Sequence, residues 1–251
     1  MLATPGLNNF GDPFRPLLKN PHKGFTLIEM AIVLLIITLM VSSAIGPLGA
    51  QIELRRRAET QKSLDEIREA LIGYALSQGT LPCPAIAPTS GSLNNGIANC
   101  TVTTGIATGY IPWVTLGVNN QDAWGNLIRY AVDTKFTTAF TLQTPGAITI
   151  QTRDASGGTP SISSNIPAVV FSLGKNGYGA LSAADYIPQS SVPASNLDEK
   201  QNIAANSATY YSRTPTPPGT AIALGGEFDD MVVWISPNIL FNRMVAAGRL
   251  P

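Results

Sequence analysis

The sequence predicts an α+β protein, a long N-terminal helix packed against a small, mostly antiparallel β-sheet head. Three observations carry that expectation. Phe25 to Ile45 holds a single ionisable residue, Glu29, in an otherwise apolar setting. Leu64, Ile67, Leu71 and Tyr74 recur at spacings of three, four and three. Glycine, proline, serine, threonine and asparagine crowd the chain after residue 79. The first two are helical signals, one apolar all round and one apolar on a single face. The third marks short strands joined by turns.

Residues 1–24 carry Pro5, Pro13, Pro16 and Pro21 among glycine and asparagine, a composition that cannot form a continuous helix and reads as a leader. The leader ends basic, with Arg15, Lys19 and Lys23. The run that follows is long enough to span a bilayer. It has neither the short apolar core nor the Ala-x-Ala site of a secretory signal, so removal after the run is not expected. Arg55, Arg56 and Arg57 just beyond it offset the basic leader, and charge alone does not orient the span.

Past the span, Asp65, Glu66, Arg68 and Glu69 sit beside the apolar stripe, so the helix continues as an amphipathic one. Pro47 cannot donate to the carbonyl of Ser43, which predicts a kink or loosened turn at Gly46-Pro47. Without it, a rod of about 80 Å would run from Phe25 to Ser77 at 1.5 Å per residue. Gly79 and Pro82 end the helix. Strand character then appears at Leu127 to Val132, Ala147 to Thr152, Ala168 to Ser172 and Met231 to Ile235. Their apolar face is expected to pack on the head-side half of the helix. Ser236 and Pro237 read as the cap and first turn of a last short helix, with Gly248 at its end.

Lys+Arg and Asp+Glu are equal, giving a formal net charge of zero, so no nucleic-acid partner is expected. The lone histidine, His22, lies in the leader, which removes most catalytic schemes from the remaining chain. Cys83 and Cys100 are too few for a zinc site. They are either free buried thiols or, in an oxidising compartment, a disulfide contributing on the order of 3 kcal/mol.

The string Lys23-Gly24-Phe25-Thr26-Leu27-Ile28-Glu29, at the front of the apolar run, resembles the processing site of type IV pilins and of the pseudopilins of type II secretion systems. The resemblance implies that a prepilin peptidase cuts between Gly24 and Phe25 on the cytoplasmic side, and that the new amino terminus is N-methylated. Glu29 would then pair with the terminal amine of a neighbouring subunit. Glycine suits a peptidase that threads backbone into a narrow site. Cleavage frees an amine of pKa about 7.7 to 8, and an unpaired carboxylate at mid-bilayer costs about 2.5 to 3.5 kcal/mol, so the two are natural partners. The competing reading is a signal anchor whose Glu29 only snorkels to the interface.

Three further strings resemble the heads of those proteins, in family order: Asp122-Ala123-Trp124-Gly125-Asn126 with Tyr130, Ser172-Leu173-Gly174-Lys175-Asn176-Gly177, and Asp229-Asp230-Met231-Val232-Val233-Trp234. Ala180 to Gly225 has no counterpart in the resemblance. Pseudopilin heads bind calcium through carboxylates near the glycine turn and the terminal Asp pair, which implies a possible calcium site at Asn176, Asp229 and Asp230. Asn176 stands where an aspartate is usual. The other reading is that Asp229 caps a turn and Asp230 is solvated. Trp113, Trp124, Trp234 and Tyr130 are expected in the core, Gly174, Gly177 and Gly179 in a tight turn, and Tyr210, Tyr211 and Arg213 on the surface of a loop.

The resemblance thus implies residues 1–24 as a cytoplasmic leader, 25–79 as a transmembrane and amphipathic helix, and 80–251 as a periplasmic β-rich head, where the cysteines would bond. The expected function is a structural subunit of a pilus or pseudopilus, not an enzyme, and a minor pilin rather than the major one because so large a head is awkward to repeat. Its partners would be prepilin peptidase, other pilin or pseudopilin subunits, the inner-membrane assembly machinery and the membrane. The alternative is a single-span anchor carrying a periplasmic binding module that does not polymerise.

Overall fold

The computed structural model describes residues 24–250, without the side chains of residues 42–48. The leader, apart from Gly24, and the kink expected at Gly46-Pro47 lie outside the described residues. The chain divides into two units, one ending at Ala50 and one beginning at Gln51.

Helix α1 is Leu27–Gln78. In the first unit its described apolar side chains are exposed on all faces, among them Leu27, Ile28, Leu35 and Met40. Among the described residues no helix is long and apolar enough to cross a membrane. The described part of the expected span, Phe25 to Val41, amounts to about 25 Å at 1.5 Å per residue. A hydrocarbon core is about 30 Å thick, and the remainder of the Phe25–Ile45 span falls among residues 42–48.

In the second unit α1 turns amphipathic as its spacing predicts: Leu64, Ile67 and Leu71 are fully buried, while Lys62 and Glu66 stay in solvent. Gly79 takes a left-handed φ of 81° and its N–H donates to Ala75 O, ending the helix.

The α1 stripe packs on a four-stranded antiparallel sheet of order β1-β2-β5-β7. Its strands are β1 (Ile106–Tyr110), β2 (Arg129–Asp133), β5 (Ala168–Ser172) and β7 (Met231–Trp234). Alternate residues divide between two cores, as a pleated strand requires. Tyr130, Val132, Val170 and Val233 face the helix side, with Trp113 of the single-turn α2 (Trp113–Leu116) and Leu240 and Met244 of the last helix, α4 (Pro237–Ala246). Ala131, Val169, Phe171 and Val232 face the other way.

That second face is covered by a three-stranded sheet of order β4-β3-β6, which the sequence reading did not foresee. It is built from β3 (Ile148–Gln151), β4 (Ser161–Ile166) and β6 (Thr209–Tyr211). Coverage on both faces explains why every residue of β5 is buried. It also corrects the expectation for Tyr210 and its neighbours. Tyr210 is a fully buried residue of β6, 5.4 Å from the Phe171 ring centre to centre. Strand β6 runs parallel to β3, the one parallel pair among the described strands. Cys83 and Cys100 form the disulfide, with Cα atoms 5.2 Å apart.

The segment 180–225 is likewise tied down. Asp198, in the short helix α3 (Leu197–Asn202), is fully buried and takes both Arg153 and Arg213 as ion-pair partners. Arg213 is therefore an interior cation stacked over Phe228, not loop surface.

Candidate functional site

At the head of α1 the processing string builds a capping box. Thr26 Oγ1 accepts from the Glu29 N–H at 3.2 Å, and Glu29 Oε2 accepts from the Thr26 N–H at 3.3 Å and from its hydroxyl at 3.4 Å. The order Thr-x-x-Glu thus serves helix initiation as well as whatever else reads it. Gly24 is different. A Cβ there would meet nothing within 4 Å among the described residues, and its φ is not left-handed. Neither packing against the described residues nor backbone strain requires a glycine at that position.

The head strings, separated by about fifty residues each, converge on the Gly174 turn. Asp122 Oδ1 accepts from the N–H of Trp124 and of Asn126, and its Oδ2 accepts from the Ser172 hydroxyl at 2.6 Å. Ser172 Oγ in turn accepts from Gly174 N–H, and Asn126 Nδ2 donates to Gly174 O. Burial, the largest influence, raises the Asp122 pKa despite these donors. From the other side Asp229 Oδ2 accepts from Asn176 N–H at 2.9 Å. Gly174 has a φ of 62°, and a Cβ on it would lie 2.0 Å from Asp229 Oδ1. Only glycine fits that cradle.

Asp229 and Asp230 are joined there by Glu199 of α3, and ligand atoms of the three carboxylates lie within 4.8 Å of one another. Glu199 Oε1 accepts from Asn176 Nδ2 at 2.8 Å and from Asp229 N–H at 3.0 Å, and Oε2 accepts from Asn196 Nδ2 at 2.9 Å. Asp230 Oδ2 accepts from Asn202 Nδ2 at 2.8 Å. Asp230 is buried, not solvated as the capped-turn reading supposes. Desolvation, reinforced by the neighbouring carboxylates, raises all three pKa values: Asp230 well above the ordinary range, Asp229 to about 6, and Glu199 upward.

Of the residues expected at a metal, Asp229 and Asp230 come together, while Asn176 turns its amide nitrogen to Glu199 and its Oδ1 to the N–H of Tyr178. Glu199 was missed because it lies in the unmatched segment, where two adjacent acidic residues, Asp198 and Glu199, in a short helix have no distinguishing spacing. Among the described residues, Asp229 Oδ1 is buried without a hydrogen-bond partner. Asp229 also lines a cavity of about 450 Å³ with Glu53, Arg57, Lys175 and Glu227. Hard carboxylate oxygens, one of them orphaned, fit a divalent cation such as calcium.

Residues 19–45 match the prokaryotic N-terminal methylation motif, the signature of type IV pilin and pseudopilin prepilins. No curated protein and no solved structure matches the chain.

Proposed function

We propose that the chain is a structural subunit, a minor pilin or pseudopilin, that prepilin peptidase cuts between Gly24 and Phe25 and that assembles into a type IV pilus or secretion pseudopilus. The methylation motif over residues 19–45 carries this reading. The apolar residues from Phe25 onward support it, since a helix apolar on every side needs lipid or other helices around it. In this reading Phe25–Ile45 spans the bacterial inner membrane, the head is periplasmic, and the subunit has no catalytic activity of its own.

Glu29 is then a charge with two successive partners. Before assembly its carboxylate is held by Thr26. In the filament it meets the ammonium of Phe25 on a neighbour, where mutual neutralisation offsets the cost of burying both charges. Mass spectrometry of the membrane-extracted protein tests the reading. A mature chain starting at an N-methylated Phe25 is expected, and one starting upstream of it overturns the proposal.

We further propose that Glu199, Asp229 and Asp230 hold a calcium ion. The cation would supply the positive charge that these three desolvated carboxylates lack. Asn176, Asn196 and Asn202 fix the carboxylates by donating to them, and so act as positioning residues.

A further inference from the structure

Between Gln51 and Thr60 of α1, only Glu53, Arg57 and Thr60 are not exposed. Steps of four, three and four carry that face on to Leu64, so a charged pair occupies the inner stripe of an amphipathic helix. Thr60 Oγ1 accepts from the Ala123 N–H at 3.1 Å, which holds this part of α1 against the Asp122 loop. Arg55 and Arg56, just before Arg57, stay in solvent. A guanidinium turned toward a protein interior is ordinarily paired and hydrogen-bonded. Arg57 is held loosely. Its Nε lies 3.4 Å from Glu53 Oε1, an oxygen buried without a hydrogen bond, and among the described residues the guanidinium donates none.

What Arg57 faces is a surplus of carboxylates. It lines the cavity of about 450 Å³ together with Glu53, Lys175, Glu227 and Asp229. Asp229 is the member of the carboxylate trio that reaches this cavity, while Glu199 is fully buried and Asp230 is 5% exposed. The charge of Arg213 reaches Asp230, yet its nitrogens are committed to Asp198, to the Thr216 hydroxyl and to the Gly226 carbonyl. Arg57 has no such commitments. Burial lifts the Asp229 pKa to about 6, and the Arg57 charge pulls against that rise, as a nearby opposite charge does.

We propose that Arg57 is the resident counter-cation of the carboxylate trio and competes with calcium for it. The proposal rests on the calcium reading above. A divalent ion outweighs one guanidinium in charge, so it retains the advantage at the trio. Arg57 removes part of that advantage, because two cations near one carboxylate repel each other. The same charge that opposes loading also supports the head without calcium, and the two effects are equal by linkage.

The test titrates the full-length protein in detergent micelles with calcium chloride by isothermal calorimetry. Arg57→Gln is expected to bind about fivefold more tightly than native, the low end of ordinary coupling, and Arg57→Lys, which keeps the charge, to stay within about twofold of native. Melting temperature at neutral pH is the second readout. In chelator Arg57→Gln should melt below native, and in saturating calcium it should match native, because the ion then supplies the charge. A residue that only packs α1 on the head would lower melting equally in both. Unchanged or weaker calcium binding by Arg57→Gln, equal tightening by Arg57→Lys, or melting lowered equally with and without calcium would each overturn the competition and leave the calcium site standing. Native protein that binds no calcium removes the site itself, and the competition with it.

Discussion

Thr26 and Glu29 satisfy one another reciprocally, each accepting a hydrogen bond from the other's backbone N–H. Two of the orphan donors at the start of α1 are thereby occupied. Replacing Thr26 by Val removes one acceptor and one donor and should cost about 1 kcal/mol at the helix start. Amide exchange of residues 27–30 in micelles is expected to accelerate, and Thr26→Ser to restore it. Glu29→Gln keeps an acceptor oxygen and discards the charge. It should leave the helix start close to native while preventing incorporation into filaments, scored by sheared-fibre immunoblotting.

Among the described residues nothing packs where a side chain at Gly24 would go. Gly24→Phe should therefore leave the circular dichroism spectrum and melting temperature unaltered while uncleaved precursor accumulates on a gel. Melting lowered by several degrees would assign the glycine to the fold instead.

The acid cluster makes stability depend on pH with a definite sign. Raised folded-state values mean that Glu199, Asp229 and Asp230 bind protons more tightly folded than unfolded. Their contribution is present below the unfolded carboxylate range, near pH 4, and is lost as pH rises through the Asp229 value of about 6. In chelator the melting temperature should fall from pH 4 to pH 7, and calcium should flatten that decline. Asp229→Asn should raise melting at pH 7 in chelator and abolish the calcium response. A calcium shift that survives in Asp229→Asn would place the ion elsewhere.

Asp198 is fully buried between two arginines whose side chains are 11% and 6% exposed. Asp198→Ala strands both cations inside the head, and removing one partner of a buried pair costs about 3–5 kcal/mol. Limited proteolysis should open the 180–225 segment first. Double replacement of Arg153 and Arg213 by Met alongside Asp198→Leu should recover much of the loss.

Elements set by local pattern were readable in advance. The 3-4-3 stripe of α1, strands β2, β3, β5 and β7, Pro237 in the first turn of α4 and the left-handed glycines all follow from periodicity and backbone sterics. What escaped notice depends on partners distant in sequence. β6 is three residues long, too short for alternation to register, and becomes a strand only because β3 lies beside it. Glu199 owes its raised pKa first to burial, which the folded head imposes on it and which outweighs the lowering effect of the Asp229 N–H thirty positions away. Asp229 meets the glycine turn through the N–H of Asn176, 53 positions away, and Asp230 is held by Asn202 of α3, so neither contact is readable from local spacing.

The long stretch between Ala180 and Gly225 resembles an ornament only when the chain is written on one line. It contributes Tyr210 to the rear core, Asp198 to the arginine pair and Glu199 to the carboxylate trio. A shortened head with those forty-odd residues excised would therefore not be a simpler version of this molecule. Phe171 and Ile150 would lose their cover, and Arg153 would be left without its anion.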